Sequence, residues 1–292
     1  MSKIAIIGAG AIGSAIGGVL TTQKHRIIFW DADTSKVPGQ GALGDAVRDA
    51  DFIFLCIPSK VVRVSVLEMR DAIRPGAVVV ALAKGVEAGT GMTMDEVLRG
   101  TLPSGISPVL LGGPMLAAEI AARMPTTGVL GGDNVQACLR TAGLFKTTLL
   151  QVVCSDDMHG VALAGTLKNI YAVALGIAQA LAWGENQKGW LVSSAILEMA
   201  AISEMLGGRR ETVYGLAGLG DLVATGFSPH SRNRRVGESL VTGAPIAGES
   251  TNALPIITKK IGTRASEFHI LSALAEIVMN KKDAQEVFGR LY

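Results

Sequence analysis

The sequence has 292 residues, 49% of them hydrophobic, and this length favours two domains. Its 27 basic and 25 acidic residues leave a net charge of +2, which excludes the strong basic excess typical of nucleic-acid binding. The cysteines, Cys56, Cys138 and Cys154, are too few and too widely spaced for a disulfide framework or a zinc site, so we expect no metal and a reducing compartment. The first residues run into an apolar strand with no room for a signal peptide, which predicts a cytoplasmic protein.

Short β-rich runs alternate with segments of helical period along the first half of the chain. The predicted strands are 3–7, 26–30, 52–57, 77–82, 109–111, 127–130 and 148–153. The predicted helices of this half are 12–20, 61–73, 115–122 and 134–145. Strand and helix in repetition indicate an α/β fold with a doubly wound, mostly parallel sheet that is covered on both faces.

The first turn, residues 8–13 (GAGAIG), follows an apolar strand and opens a predicted helix. In this context the GxGxxG spacing indicates a dinucleotide-binding turn. Gly8 allows the tight turn, Gly10 lets a pyrophosphate approach the backbone, and Gly13 lets the helix pack closely on the strand. The start of the helix then offers N–H groups and a partial positive charge to the phosphates.

Asp31 closes the second predicted strand, where an acidic residue accepts hydrogen bonds from the ribose hydroxyls of the adenosine. Its charge would repel a 2′-phosphate, so the sequence favours NAD over NADP. No arginine follows closely to hold a 2′-phosphate, but Lys36 is a substitute, and NADP stays open. The alternative for Asp31 is a solvated loop residue.

Three further strand ends face the edge of the sheet where such folds bind their ligands. The third strand stops at Pro58, the fourth at Lys84, and the fifth runs into Gly113. A lysine followed by glycine at the end of a buried strand is poorly explained by packing. Lys84 is therefore a candidate site residue, with an exposed loop charge as the alternative.

The strand pattern stops after residue 153, which predicts a domain boundary near Cys154, with domains 1–154 and 155–292. Helices are predicted in the second domain at 156–185, 188–206, 253–261, 266–280 and 284–291. We therefore expect an all-helical second domain.

The segment 156–185 is free of proline and apolar on every side, as in a helix at the centre of a core. Lys168 is the only formal charge in its interior, and Asn169 lies beside it. Burying an ammonium group is costly unless it is paired or needed, so Lys168 is a candidate functional residue. The alternatives are a lysine paired in an ordinary core and a membrane-spanning helix, which the central charge disfavours.

Two polar groups follow in the second half. Asp221 is the only charge in the glycine-rich stretch 215–226 (GLAGLGDLVATG), and a carboxylate in apolar surroundings favours a lysine partner. The alternative is a loop cap.

Residues 231–235 (SRNRR) open a predicted helix, where guanidinium and N–H groups together form an anion site. The alternative for the arginines is a solvated basic patch.

The motifs GAGAIG, AKGVE, GGPMLAAE, GTLKN, GLAGLGDLVATG and SRNRR, in this order and across nearly the whole chain, resemble those of the NAD(P)-dependent glycerol-3-phosphate dehydrogenase family. The resemblance implies an N-terminal Rossmann domain for a nicotinamide cofactor and an all-α domain that closes over the substrate. It implies the reversible reduction of dihydroxyacetone phosphate, a small phosphorylated substrate, to sn-glycerol 3-phosphate. Family members are commonly homodimers.

Carried over residue by residue, the resemblance implies that Lys168 is the general acid/base and that Lys84 and Asp221 complete its polar setting. It implies substrate contacts from Lys84, Gly113, Asn169, Thr225, Ser231, Arg232 and Asn233. It implies cofactor contacts from Gly8, Gly10, Ala11, Ile12, Gly13, Asp31, Pro58, Lys84, Ala117, Arg232 and Glu249, of which Glu249 is the looser match.

Three features depart from the family pattern. The stretch between Trp30 and Phe52 is shorter than in typical members, Met115 replaces a small hydroxyl residue, and Ser194 replaces a common arginine. These departures leave open a divergent dehydrogenase that reduces another small anionic carbonyl compound. A second alternative is a dinucleotide-binding sensor without turnover, although a sensor has no use for a buried proton donor.

Overall fold

The structure, a computed structural model, describes residues 1–243 and 248–291. Its first half forms one seven-stranded sheet in the order β2-β1-β3-β4-β5-β6-β7. The strands are β1 (Lys3–Ile7), β2 (Arg26–Trp30), β3 (Phe52–Leu55), β4 (Val78–Ala81), β5 (Ser107–Gly112), β6 (Thr126–Gly131) and β7 (Leu150–Ser155). The first five are mutually parallel, β6 is antiparallel to β5, and β7 is parallel to β6. The prediction of a mostly parallel sheet is confirmed.

Helices cover both faces of this sheet. They are α1 (Ala11–Thr21), α2 (Leu43–Val47), α3 (Ser59–Met69), α4 (Met94–Thr101), α5 (Ala117–Ala121) and α6 (Val135–Gly143). Side chains alternate along β1, so Ile4 and Ile6 pack beneath α1 whereas Ala5 and Ile7 join the core shared with the second half. Burying each isoleucine stabilises the fold by about 1.5–3 kcal/mol.

All the described residues of the second half after β7 are helical or in loops. The helices are α7 (Met158–Ala180), α8 (Glu185–Met205), α9 (Arg210–Tyr214), α10 (Asp221–Phe227), α11 (Arg232–Thr242), α12 (Glu249–Ile261), α13 (His269–Val278) and α14 (Ala284–Phe288). A π-helical turn, Leu216–Gly220, leads into α10, and 3₁₀ turns occur at Arg70–Ala72 and Gly262–Glu267. The prediction of a helical second domain is confirmed.

The long apolar helix α7 lies at the centre of the second half. Each of its residues from Gly160 to Ala178 is buried. By length and composition it could cross a membrane, but the whole apolar window is enclosed by protein. α7 is therefore a core helix, as the charge of Lys168 near its centre predicted.

The two ends of α7 are fixed by local groups. The carboxylate of Asp157 accepts the Gly160 N–H at 2.9 Å and the Arg209 N–H at 3.0 Å, so it caps the helix and ties it to the start of α9. The predicted helix 156–185 was too long at its far end. There α7 ends at Ala180, Ala182 takes the left-handed conformation (φ +54°), and Gly184 is the N-cap of α8.

Helix α11 crosses α7 in direct backbone contact. A Cβ atom on Gly176 would lie 2.0 Å from the carbonyl oxygen of Arg234, and one on Gly237 would lie 2.0 Å from that of Val173. Only glycine at both positions permits this approach. The contact places the first half of α11 next to the C-terminal third of α7.

A half-buried carboxylate joins three helices of the second half. Glu198 on α8 accepts the Tyr171 hydroxyl of α7 at 2.8 Å and the backbone N–H groups of Ile270 and Leu271, at the start of α13, at 2.9 and 3.1 Å. Burial raises the pKa of Glu198, and these hydrogen bonds offset the rise in part. The network fixes the rotation of α7 about its axis.

Candidate active site

The turn between β1 and α1 leaves space next to its backbone. Gly8 has φ +102°, and a Cβ there would lie 2.5 Å from the Cys56 carbonyl oxygen. A Cβ on Gly13 would lie 1.8 Å from the carbonyl oxygen of Gly8, so helix and turn are in contact. A Cβ on Gly10 would meet nothing within 4 Å. Gly8 and Gly13 are thus required by packing, whereas Gly10 borders open space.

The start of α1 has the properties of a phosphate site. Its N-cap residue, Gly10, provides no side-chain cap, and Ala11 and Ile12 supply the first N–H groups of the helix. No acidic residue occurs in the first turn. Free N–H groups and the positive end of the helix dipole fit a pyrophosphate.

Asp31 at the end of β2 faces this turn. Its carboxylate accepts the N–H of Ala9 at 2.7 Å and that of Asp33 at 2.9 Å, and Lys36 Nζ lies 3.3 Å away. Burial raises its pKa, but the hydrogen bonds from Asp33, Ala9 and Lys36 outweigh that effect, and the pKa lies below the ordinary value. Asp31 is therefore ionised at neutral pH and held by the glycine turn, not free in solvent.

A buried cluster of two lysines and one carboxylate lies across the two halves of the chain. Asp221 Oδ1 is 3.0 Å from Lys168 Nζ, and Asp221 Oδ2 is 2.5 Å from Lys84 Nζ. Asp221 is 2% exposed and Lys168 5%. Lys84 follows β4, Lys168 lies in the middle of α7, and Asp221 opens α10. The structure thus brings together the three charges that the sequence singled out.

Thr225 also contacts Lys168. Its hydroxyl accepts a 2.6 Å hydrogen bond from Lys168 Nζ and donates to Asp221 at 3.1 Å. Asp221 and Thr225 are four residues apart on α10, so one face of that helix presents both groups. The ammonium group is consequently held at two points.

The charge balance of the cluster is positive. Burial raises the pKa of Asp221, but Lys168 and Lys84 outweigh it, and the pKa lies below the usual value. Two ammonium groups and one carboxylate leave one net positive charge in surroundings of low polarity. Such a charge stabilises an oxyanion that forms next to it.

Lys84 also donates to the main chain after β5. Its Nζ lies 3.1 Å from the carbonyl oxygen of Gly113, which adopts φ +95°. This bond links the ends of β4 and β5, and the side chain of Lys84 stays 20% exposed. Lys84 is thus the more accessible lysine of the cluster.

A polar strip follows at the start of α11. Asn233 Nδ2 donates to Asn169 Oδ1 at 2.8 Å, and Asn169 is the residue that follows Lys168 on α7. Ser231 caps α11 by accepting the Arg234 N–H at 3.2 Å, and Arg232 is exposed at the first helical position. Arg234 pairs with Glu238 at 2.8 Å. The N–H groups, Arg232 and Asn233 together fit an anion.

The remaining predicted contacts lie near the glycine turn or outside the described part of the chain. Pro58 is exposed as the N-cap of α3, and Ala117 begins α5. Ala11 and Ala117 also line a groove of about 740 Å³ between α1 and α5, which contains no member of the lysine cluster. The side chain of Glu249 lies outside the described residues.

The substituted position Met115 lies in the core. It is 9% exposed and packs among the side chains beneath α1 and α6, and its Sδ would lie 2.9 Å from a Cβ on Gly128. Its side chain is thus not part of the lysine cluster. Ser194 is half-buried on α8.

Sequence reasoning missed one polar group between the two halves. His159 Nδ1 lies 2.9 Å from Asp95 Oδ2 on α4, and its Nε2 lies 2.9 Å from the Leu206 carbonyl oxygen. The hydrogen bond to Asp95 raises the pKa of His159, and burial opposes it. A histidine in the first turn of an apolar helix was the only signal, and 64 residues separate it from Asp95.

A dinucleotide-binding turn after β1 and a lysine–carboxylate cluster that joins the end of β4 to α7 and α10 define a dinucleotide-dependent oxidoreductase. Models of the N-terminal and C-terminal parts of NAD-dependent glycerol-3-phosphate dehydrogenase match residues 35–138 and 157–289. The chain belongs to the NAD-dependent glycerol-3-phosphate dehydrogenase family.

Individual relatives agree with this assignment. The glycerol-3-phosphate dehydrogenase (NAD(P)+) of Chlorobium limicola is 33% identical over 97% of this chain and 95% of its own. That of Clostridium tetani is 34% identical over 80% and 73%. The crystal structure of the glycerol-3-phosphate dehydrogenase of Coxiella burnetii aligns with a TM-score of 0.88, at 27% identity, over 99% of this chain and 98% of that one. The predicted fold and family are confirmed.

Proposed function

We propose that this chain interconverts sn-glycerol 3-phosphate and dihydroxyacetone phosphate with NAD or NADP, and that Lys168 is the general acid/base. The observation that carries the proposal is Lys168 itself, buried in the middle of α7 and held by Asp221 at 3.0 Å and Thr225 at 2.6 Å. A buried amine held at two points next to a cationic neighbour is suited to proton transfer.

The residues of the cluster have separate tasks. The nicotinamide, when bound, supplies the hydride. Lys168 donates its proton to the carbonyl oxygen of the substrate during reduction and takes it back during oxidation. The ammonium group of Lys84 stabilises the developing alkoxide, and Asp221 holds both lysines in place. Thr225 fixes the direction of the Lys168 amine through its hydrogen bond.

The substrate phosphate binds at the start of α11. Arg232 and Asn233, with the N–H groups of the first turn, supply charge-assisted hydrogen bonds, and Asn169 orients Asn233. Gly113 presents its backbone to the substrate, and Ser231 shapes the turn as the helix cap. A substrate with one phosphate and one carbonyl fits between this anion site and Lys168.

Residues at the ends of β1, β2 and β3 would hold the cofactor. Gly8, Gly10, Ala11, Ile12 and Gly13 would bind its pyrophosphate, and Asp31 would bind its adenosine ribose. Further contacts come from Pro58, Lys84, Ala117, Arg232 and Glu249. Asp31 favours NAD.

The wider setting is also proposed. Residues 1–154 are the proposed cofactor domain and 155–292 the proposed substrate domain. The last strand, β7, ends one residue beyond this boundary at Ser155, and the helical half begins with α7 at Met158. The enzyme acts in the cytoplasm, and its helical surface permits a homodimer. Its product supplies the glycerol phosphate of phospholipid biosynthesis.

The test is the oxidation of NADH and NADPH with dihydroxyacetone phosphate, compared with other phosphorylated ketones and small keto acids. We expect the largest kcat/KM with dihydroxyacetone phosphate. Turnover restricted to unphosphorylated compounds would contradict the substrate and favour the divergent dehydrogenase. Cofactor binding without turnover of any compound would favour the sensor.

A further inference from the structure

The segment after β2 is short but anchored. Gln40 pairs with the backbone of Asp31 on both sides, since its Nε2 donates to the Asp31 carbonyl at 2.5 Å and its Oε1 accepts the Asp31 N–H at 2.9 Å. The Trp30 Nε1–H donates to the Gly41 carbonyl at 3.2 Å. These bonds fold the chain back on the end of β2 and bring Lys36 over Asp31.

The carboxylate of Asp31 is nearly saturated. Its two oxygens offer about four acceptor positions. Asp33 N–H and Ala9 N–H take one each at 2.9 and 2.7 Å, and Lys36 Nζ reaches both oxygens at 3.3 and 3.4 Å. A ribose hydroxyl that donates to Asp31 must therefore displace its weakest partner.

Lys36 is that partner. Its bonds to Asp31 are the longest, and its side chain is 44% exposed against 12% for Asp31. Its only other carboxylate contact among the described residues is with Asp33 at 4.0 Å. An exposed lysine held this loosely exchanges its contacts at little cost. Lys36 is also the only basic residue between Asp31 and Ala46.

We propose that Lys36 is a movable cation that lets one adenosine site accept both cofactors. With NAD, the ribose hydroxyls bind Asp31 and Lys36 turns to solvent. With NADP, Lys36 binds the 2′-phosphate and offsets the charges of Asp31 and Asp33. The inference rests on the proposed function for the identity of the cofactor and assigns the residue that decides between its two forms.

The test measures cofactor binding without substrate. Dissociation constants of NAD+ and NADP+ are determined by isothermal titration calorimetry for the wild type and Lys36→Met. We expect NADP+ to bind about tenfold more weakly to the variant, because one charge-assisted contact is lost at a partly exposed site. NAD+ should bind equally well or slightly better, because its ribose no longer competes with Lys36.

Two further variants separate this role from a structural one. Lys36→Arg keeps the charge and should retain NADP+ binding, whereas Lys259→Met removes an exposed lysine on α12 and should change neither constant. Added salt should weaken NADP+ binding less in Lys36→Met than in the wild type. Equal losses for both cofactors, or no loss for either, would overturn the proposal. These experiments measure cofactor binding and no turnover. Their outcome therefore does not depend on whether dihydroxyacetone phosphate proves to be the substrate.

Discussion

Two carboxylates of the proposed active site, Asp221 and Asp31, each pair with lysine, and the pairs differ in burial. Asp221 has a 2% exposed side chain, and its partners Lys168 and Lys84 are 7% and 20% exposed at 3.0 and 2.5 Å. Asp31 is 12% exposed and its partner Lys36 44%, at 3.3 Å. The same chemical pair is thus tightly enclosed at one end of the site and loosely held at the other.

This difference in burial shows how lysine–carboxylate pairs can serve two purposes. A buried ion pair cannot exchange its partners with water, so it fixes geometry, and losing one member leaves an uncompensated charge. An exposed pair contributes little to stability and can open for a ligand. We therefore expect catalysis and stability to depend on the Asp221 cluster, and recognition to depend on the exposed cations.

The largest effect should follow from Lys168→Met. Without the proton donor, kcat should fall by about 10³-fold, within the range for general acid catalysis. The NADH dissociation constant, measured by quenching of tryptophan fluorescence, should stay unchanged. Lys259→Met is the matched control on the surface. If the variant retains half of the wild-type kcat, Lys168 is not the proton donor.

Asp221→Asn should destabilise the fold and the site together. Two ammonium groups lose their counter-charge, which costs about 3 kcal/mol of unfolding free energy in urea titrations. The pKa of Asp221 is lowered in the fold, so its contribution is present above the ordinary carboxyl pKa and lost as pH falls through the lowered value. The difference between wild type and variant should shrink on acidification. A constant difference would contradict the ion-pair account.

Arg232→Ala should act on substrate binding. Loss of a charge-assisted phosphate contact corresponds to about 2 kcal/mol, or roughly 30-fold in KM for dihydroxyacetone phosphate. The value of kcat should change much less, because Arg232 lies away from the reacting carbonyl. Arg235→Ala, three residues along the same helix and exposed, should leave KM unchanged. If both variants raise KM equally, the contact is a general surface charge.

The smallest effect concerns His159, between α4 and α7. Both ring nitrogens of His159 face hydrogen-bond acceptors, Asp95 and the Leu206 carbonyl. Each nitrogen must therefore carry a hydrogen, so the ring is in its positively charged form. A raised pKa gives a contribution that is full below the ordinary histidine pKa and lost as pH rises through the raised value. His159→Gln should therefore cost about 1 kcal/mol at pH 6 and less at pH 9 in urea titrations. An equal cost at both values would contradict the charged form.

The first half of the fold could be predicted because its signals are local. The bounds of β1 and β2 agree with the predicted strands 3–7 and 26–30, since apolar runs end there at glycine and aspartate. The short helices α2 and α4 were missed, because five and eight residues are fewer than the roughly 11–18 residues over which a helical period is recognised. The predicted strand 52–57 was too long, since Pro58 begins to redirect the chain at Cys56.

The antiparallel pairing of β5 and β6 was not predicted either. Strand direction depends on the connection between the strands, here the loop around α5, and not on the residues of the strands themselves. In the same way, the start of α13 was placed three residues early, because the 3₁₀ turn Gly262–Glu267 continues a helical pattern.

Local patterns predicted the residues of the site and a lysine partner for Asp221, whereas which lysines meet it was implied only by the resemblance to the family. Lys168 and Asp221 were conspicuous as single charges in apolar stretches, and burial confirms that both are enclosed. Lys84 and Asp221 are 137 residues apart, and no local pattern states that they meet. The Asp95–His159 contact has the same origin. Such pairs follow from the packing of the two halves.

The most direct test of proton delivery is single-turnover oxidation of bound NADH by dihydroxyacetone phosphate in H₂O and in D₂O, with viscosity matched. Transfer of a proton from Lys168 as the hydride arrives predicts a slower reaction in D₂O for the wild-type enzyme. Equal rates in the two solvents would contradict the account.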